Sequence, residues 1–201
     1  PSWNVPGSIG CWRGCTLDRA VSNFESFKNH VSVLFWSLGN ESYAGDILVE
    51  MNRYYKEKDP DRLVHYEGVA ENRPYEDLIS DMESQMYAPP EKIKEYLENN
   101  PKKPFILCEY MHDMGNSLGG MESYIRLLDQ YEDYQGGFIW DYIDQALFVK
   151  DEVTGRDVLR YGGDFDDRPS DYEFSGNGIL FADRTEKPAM QEVRHYYGLR
   201  R

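Results

Sequence analysis

A parallel α/β fold is predicted by two observations. Between residues 16 and 147, short apolar runs of strand length alternate with stretches whose apolar residues recur at helical spacing. Two of the runs, residues 31–37 and 105–108, lead into a carboxylate set in a polar loop, Glu41 and Glu109 respectively. A carboxylate at the C-terminal end of a buried strand occupies the position where α/β barrels place catalytic groups. No internal repeat or low-complexity tract breaks the alternation.

Taken in order, residues 1–14 are punctuated by Pro and Gly and read as a loop. Leu17, Val21, Phe24 and Phe27 then predict an amphipathic helix over residues 16–29, which delivers the chain to the strand at 31–37. Ile47, Leu48, Met51 and Tyr54-Tyr55 predict a helix over 44–58, stopped by Asp59-Pro60. Residues 63–66 form a short strand with Glu67-Gly68 at its end, and residues 78–86 a further strand ending in Tyr87. A helix over 90–99 starts with Pro90 in its first turn. The strand at 105–108 follows, then a helix from Ser117 to about Tyr131, then a strand at 138–140. Beyond Leu147 the texture changes to Gly, Asp and Arg clusters. Thr154-Gly155-Arg156 is the expected turn of a hairpin between 147–150 and 158–161, and residues 188–197 are the expected final helix.

Composition narrows the function. The 201 residues carry 22 Lys+Arg against 36 Asp+Glu, a formal charge of −14, which repels phosphate backbones and anionic lipid and so argues against nucleic-acid and membrane partners. No apolar run reaches the roughly 18 residues of a membrane span, and a cytoplasmic, soluble chain is expected. Aromatic residues make up 14%, a supply of flat apolar surface on which the C–H faces of sugar rings stack, although most aromatics fill cores. Cys11, Cys15 and Cys108 have no matching Cys/His pair to complete a zinc site, and free thiols are expected.

Two strand-end carboxylates suggest glycosidic bond cleavage, in which one carboxyl protonates the leaving oxygen and the other attacks the anomeric carbon or activates water. For either Glu alone, the plainer role is to end a strand by capping a helix or pairing with an Arg. Two together, each among polar and aromatic neighbours, favour chemistry.

Longer motifs sharpen this. Ser37-Leu38-Gly39-Asn40-Glu41-Ser42 and Ile106-Leu107-Cys108-Glu109-Tyr110-Met111-His112-Asp113-Met114-Gly115-Asn116-Ser117-Leu118-Gly119-Gly120 closely resemble the two active-site signatures of the β-galactosidases of glycoside hydrolase family 2. Gly136-Gly137-Phe138-Ile139-Trp140-Asp141-Tyr142-Ile143-Asp144-Gln145 and Tyr161-Gly162-Gly163-Asp164-Phe165 extend the resemblance over nearly the whole chain. It implies a partial TIM (β/α)8 barrel: about five parallel strands with their helices, against eight in a closed barrel, plus an irregular hairpin-containing C-terminal segment. Residues 1–147 would be the C-terminal portion of the catalytic barrel, and 148–201 the barrel-closing loop, hairpin and start of the link to the next domain.

The same resemblance implies roles. Glu109 is the nucleophile that forms a covalent galactosyl-enzyme and must stay ionised, while Glu41 is the acid/base that holds a proton for the leaving group. Asn40 hydrogen-bonds the sugar 2-hydroxyl, Tyr87 positions the nucleophile, His112 contacts galactose hydroxyls, and Trp140 floors the sugar's apolar face. Glu41 is also a ligand of Mg2+, and Phe174, through its carbonyl, and Asn177 are ligands of Na+. The remaining ligands of both ions lie upstream of Pro1, so each site is expected only in part. The implied activity is retaining hydrolysis of terminal β-D-galactosides such as lactose. The alternatives are another family 2 glycosidase, such as a β-glucuronidase, and a non-catalytic complementation piece. Self-association, or assembly with a chain carrying the missing strands, is expected.

Overall fold

The computed structural model describes residues 4–198. Pro1 to Trp3, the start of the expected N-terminal loop, and residues 199–201 lie outside the described residues. The chain divides into two units, Pro1–Cys108 with Asp133–Gln135, and Glu109–Glu132 with Gly136–Arg201.

In the first unit, helix α1 spans Arg13–Phe27 and buries Ala20 and Phe24, which share a face with Leu17. It begins three residues before the expected Thr16, directly after a 3-10 turn at Gly10–Trp12 that the Pro/Gly punctuation concealed. Helix α2, Asp46–Lys58, buries Ile47, Leu48, Met51 and Tyr55 along one stripe and carries Asp46 in its first turn, where a carboxylate suits the helix dipole. Gly45 precedes it because a Cβ there would stand 2.4 Å from the Gly7 backbone.

Strand β1, Phe35–Ser37, pairs in parallel with β2, Leu63–His65, with Trp36 opposite Val64. Trp36 stacks on Tyr55 at 5.2 Å, its indole N–H donates to Asp59 at 3.0 Å, and Arg62 donates to the same carboxylate at 2.7 Å. The aromatic core of the unit is thereby tied to the end of α2. β1 is shorter than expected: Val31 is 93% and Leu34 76% exposed, so the apolar run at 31–34 is connecting chain. The expected strand at 78–86 is also corrected. Its first residues lie in a short helix α3, Glu76–Ile79, anchored by Ile79, and β3 is only Glu83–Met86. Helix α4, Pro90–Glu98, buries Ile93 and Leu97.

β3 belongs to a three-stranded sheet in the order β3, β4 (Phe105–Tyr110), β5 (Tyr134–Ile139). The boundary between the units falls within β4 and β5. β4 outruns the expected 105–108, so Glu109 is the penultimate strand residue rather than the first residue of a loop.

In the second unit, helix α5 is Met121–Gln130 and does not begin at Ser117. Ser117 is used instead inside the preceding turn, its hydroxyl lying against the carbonyl oxygens of His112 and Met114. Helix α6, Met190–Gly198, is joined to α5 by Glu192, which accepts the Met121 amide at 2.8 Å. β6, Leu147–Lys150, and β7, Asp157–Arg160, form the expected antiparallel hairpin, with Gly155 at φ 67° in its turn. The strands thus form two-, three- and two-stranded sheets, a mixed α/β arrangement without a closed barrel among the described residues. None of the described helices is long and apolar enough to cross a membrane.

Candidate active site

Three strand ends carry a non-glycine residue in left-handed backbone: Glu41 after β1 (φ 49°), Tyr87 after β3 (φ 52°) and Met111 after β4 (φ 55°). Each such residue costs about 1–3 kcal/mol and persists only where its surroundings hold it.

In the first unit the holding groups of Glu41 are explicit. Its backbone N–H donates to Oε1 of Glu67 at 2.6 Å, and the next amide, Ser42, donates to the Tyr66 hydroxyl at 2.9 Å. The Tyr66 hydroxyl in turn lies against the Ser42 carbonyl; burial, aided by the Glu67 charge, raises its pKa, so it stays a donor. Glu41 is exposed, at the wall of a cavity of about 320 Å³ that Glu67, Glu71 and Gln85 also line. Asn40 beside it is exposed, and Tyr87 is 40% exposed.

Behind Glu67 the interior is polar. His65, 4% exposed, places Nδ1 3.0 Å from the Ser37 hydroxyl and Nε2 2.7 Å from the Ser84 hydroxyl. Burial lowers its pKa to about 4, so the imidazole is neutral at neutral pH.

In the second unit Glu109 is half-buried on β4. Trp140 follows β5 and continues the pairing beyond both strands, its N–H donating to Tyr110 at 3.0 Å and its carbonyl accepting from Asp113 at 2.9 Å. His112 packs edge-on against the Phe174 ring at 5.7 Å. Asn177 accepts the Asp141 amide through its carbonyl at 2.8 Å, and its side chain is 1% exposed with Oδ1 lacking a donor among the described residues. The stretch around it is pinned at Asp144, whose Oδ1 accepts Gly178 N–H and Lys187 Nζ, each at 2.8 Å. Gly178 must be glycine, since a Cβ would meet the Ile143 and Asp144 backbone at 2.3 Å. Asp113 is 3% exposed, with its pKa raised by burial.

Within the first unit the structure therefore joins Glu41 to a partner that sequence reasoning did not assign, Glu67. Within the second it brings His112 to Phe174 and sets Asn177 beside the chain that follows Trp140. His65, Asp113, Asp144 and Lys187 were also given no role. Glu67 could have been found, because it follows the apolar run at 63–66 by the same strand-end rule that marked Glu41 and Glu109.

The family described as Glycosyl hydrolases family 2, TIM barrel domain, matches residues 1–200. The chain is 73% identical over 198 residues to the β-galactosidase large subunit of Latilactobacillus sakei, covering 98% of this chain and 32% of that protein. It is 60% identical over 197 residues to the β-galactosidase of Halalkalibacterium halodurans, covering 98% of this chain and 19% of that one. The chain thus spans about a third or less of the length of these curated relatives. Its fold is similar to that of a Bacteroides uniformis β-glucuronidase, with a TM-score of 0.60 at 18% identity over 98% of this chain and 27% of the other. The chain belongs to glycosyl hydrolase family 2, as part of its TIM barrel domain.

Proposed function

We propose that the protein carrying this chain is a retaining β-galactosidase that hydrolyses terminal β-D-galactosides of the lactose type. The observation that carries this reading is the 73% identity, across 98% of the chain, to a protein named a β-galactosidase large subunit. Glu109 attacks the anomeric carbon and forms the galactosyl-enzyme; Glu41 first protonates the departing oxygen and then activates water. Asn40 and His112 bind sugar hydroxyls, Tyr87 positions the nucleophile, and Trp140 packs against the ring. The strained, hydrogen-bonded backbone at Glu41 supports a preorganised acid/base, since such strain is characteristically kept where chemistry needs it.

β1 to β5 act as five strands of a barrel whose others come from the rest of the protein, and residues 148–201 close it and lead onward. The isolated chain is inactive in this reading and associates with itself or with the polypeptide that supplies the missing strands.

The residues present fit the two implied ions in part. Asn177 offers a buried side-chain oxygen without a donor among the described residues, which suits Na+, with the Phe174 carbonyl as a second ligand. Glu41 offers a carboxylate oxygen beside further carboxylates, a donor set that suits Mg2+. Bound there, a hard cation would stabilise negative charge near the acid/base.

The test is an assay of the intact protein with paired chromogenic substrates, a nitrophenyl β-galactoside and the matching β-glucuronide. Turnover of the galactoside alone is expected. Preference for the glucuronide would move the assignment to the other branch of the family, and turnover of neither would favour a non-catalytic piece.

A further inference from the structure

Three side chains with metal-ligand chemistry converge inside the first unit. His65 ends β2, Glu67 lies in the turn after it, and Cys108 is on β4; one ligand atom from each lies within 4.8 Å of the other two. His65 and Glu67 are buried and Cys108 is half-buried. A barrel interior is normally filled by apolar branched side chains, and an imidazole, a carboxylate and a thiol at one point depart from that rule.

We propose that His65, Glu67 and Cys108 form a binding site for a transition-metal dication of the zinc class. Thiolate and imidazole select zinc, cobalt or copper over magnesium and calcium, so the site differs in ion class from the magnesium considered at Glu41. Tetrahedral coordination with metal–sulfur and metal–nitrogen bonds near 2.3 and 2.1 Å sets ligand atoms roughly 3.3–3.8 Å apart. The observed spacing of up to 4.8 Å closes to that value with movements of about 1 Å, within the range of side-chain adjustment. Three protein ligands leave a fourth position for solvent. Whichever imidazole nitrogen takes the ion, the other keeps a serine hydroxyl, Ser37 or Ser84, which fixes the ring as outer partners of metal-bound histidines do. Glu67 holds the Glu41 amide with Oε1, and a carboxylate has lone pairs enough to serve a metal as well. Binding forms one metal–sulfur bond and releases the Cys108 thiol proton to solvent.

A second consequence rests on the catalytic reading. Glu67 supports Glu41, so an ion that draws the Glu67 carboxylate toward itself weakens its hold on the Glu41 amide and lowers turnover.

The experiment titrates the metal-stripped intact protein with Co2+ in a Cys11→Ser/Cys15→Ser background, so that the two exposed thiols do not compete. One cobalt per chain, a near-ultraviolet thiolate-to-cobalt charge-transfer band, and about one proton released per ion are expected. Cys108→Ser, nearly isosteric, should abolish the band with circular dichroism unchanged, and His65→Asn should weaken binding at least tenfold. Excess Mg2+ should not displace the cobalt. Absence of the band in the background protein, or its survival in Cys108→Ser, would overturn the site. Neither result depends on galactoside turnover, so failure here is separable from failure of the proposed activity.

Discussion

The amide of Glu41 donates to Oε1 of Glu67 across 2.6 Å, and Glu67 is only 7% exposed. A charge-assisted bond of this kind holds Glu41 in a backbone conformation it would otherwise leave. Glu67 is thus a positioning residue for the proposed acid/base. Glu67→Ala should lower kcat about tenfold, roughly 1.4 kcal/mol of barrier, with KM little changed. Glu67→Gln keeps an acceptor oxygen and should recover part of the loss. An equal effect of both variants on folding and none on kcat would remove the role.

On the proposed roles, Glu109→Gln in the intact protein should abolish turnover while retaining galactose binding, because an amide nearly matches the shape of the carboxylate but is not nucleophilic. Glu41→Gln should behave differently. Substrates with good leaving groups should restore part of its first step, which then needs no proton from the side chain, and azide part of its second, since an anion needs no base to deprotonate it. Pre-steady-state bursts with activated galactosides would separate the two variants.

Asp113 makes a pH prediction with a definite sign. Burial raises its pKa; Lys187 and His112 oppose the shift and Asp144 adds to it. A folded-state pKa above the unfolded value means that this residue's contribution to stability is fully present below the unfolded pKa and is lost as pH rises through the folded one. Asp113→Asn should therefore raise the melting temperature at about pH 7, with the gain shrinking to nothing near pH 4. A gain independent of pH would show that the carboxylate's charge is not the cause.

Arg73 donates to both oxygens of Glu83 at 2.6 and 2.9 Å, and Glu83 is 4% exposed. Removing the guanidinium leaves a buried carboxylate that keeps the Gln85 amide, 2.9 Å away, as a side-chain donor. Arg73→Ala should cost about 3 kcal/mol in denaturant unfolding. Arg73→Lys should recover less than half, because an ammonium cannot reproduce the paired geometry.

Assembly has its own test. Among the described residues β1 has one hydrogen-bonded strand neighbour, β2, and Leu63 on β2 is 46% exposed. An open strand edge beside exposed apolar side chains invites pairing with another chain. Sedimentation of the purified 201-residue chain should show association or aggregation, and an assay should show turnover well below about 10 per second. A concentration-independent monomer, or full activity, would contradict the partial-barrel reading.

β2 and β4 were legible because each starts on a short apolar run between punctuated ends, and both begin at the expected residues. β3 is the polar Glu83–Met86 rather than 78–86, and β5 is Tyr134–Ile139 rather than 138–140, its Gly136-Gly137 hiding the strand from the apolar pattern. What failed was local. Leu78-Ile79 looks like strand sequence, but Ile79 is fixed by packing into the core of the first unit, and Asn52 donates to its carbonyl at 2.8 Å, which favours a helical turn. Ser117 looks like a helix start, yet its hydroxyl is taken by the turn before it, and α5 begins after Gly120 in left-handed backbone. The proposed catalytic carboxylates could be found from strand-end position. Their supports could not, because Glu67 at Glu41 and Lys187 at Asp144 are 26 and 43 residues from their partners, and such separations leave no periodic trace.

The Lys187 to Asp144 pair also imposes a timetable. Chain leaves the ribosome at about 5–20 residues per second, so Asp144 waits roughly two to nine seconds for the lysine that anchors it, 43 residues later. During that interval the aromatic core around Trp36 and Tyr55, whose parts lie closer together in the chain, has everything it needs to form. The nascent protein thus emerges with the parts of the Glu41 end complete before the segment following Trp140 can be fastened.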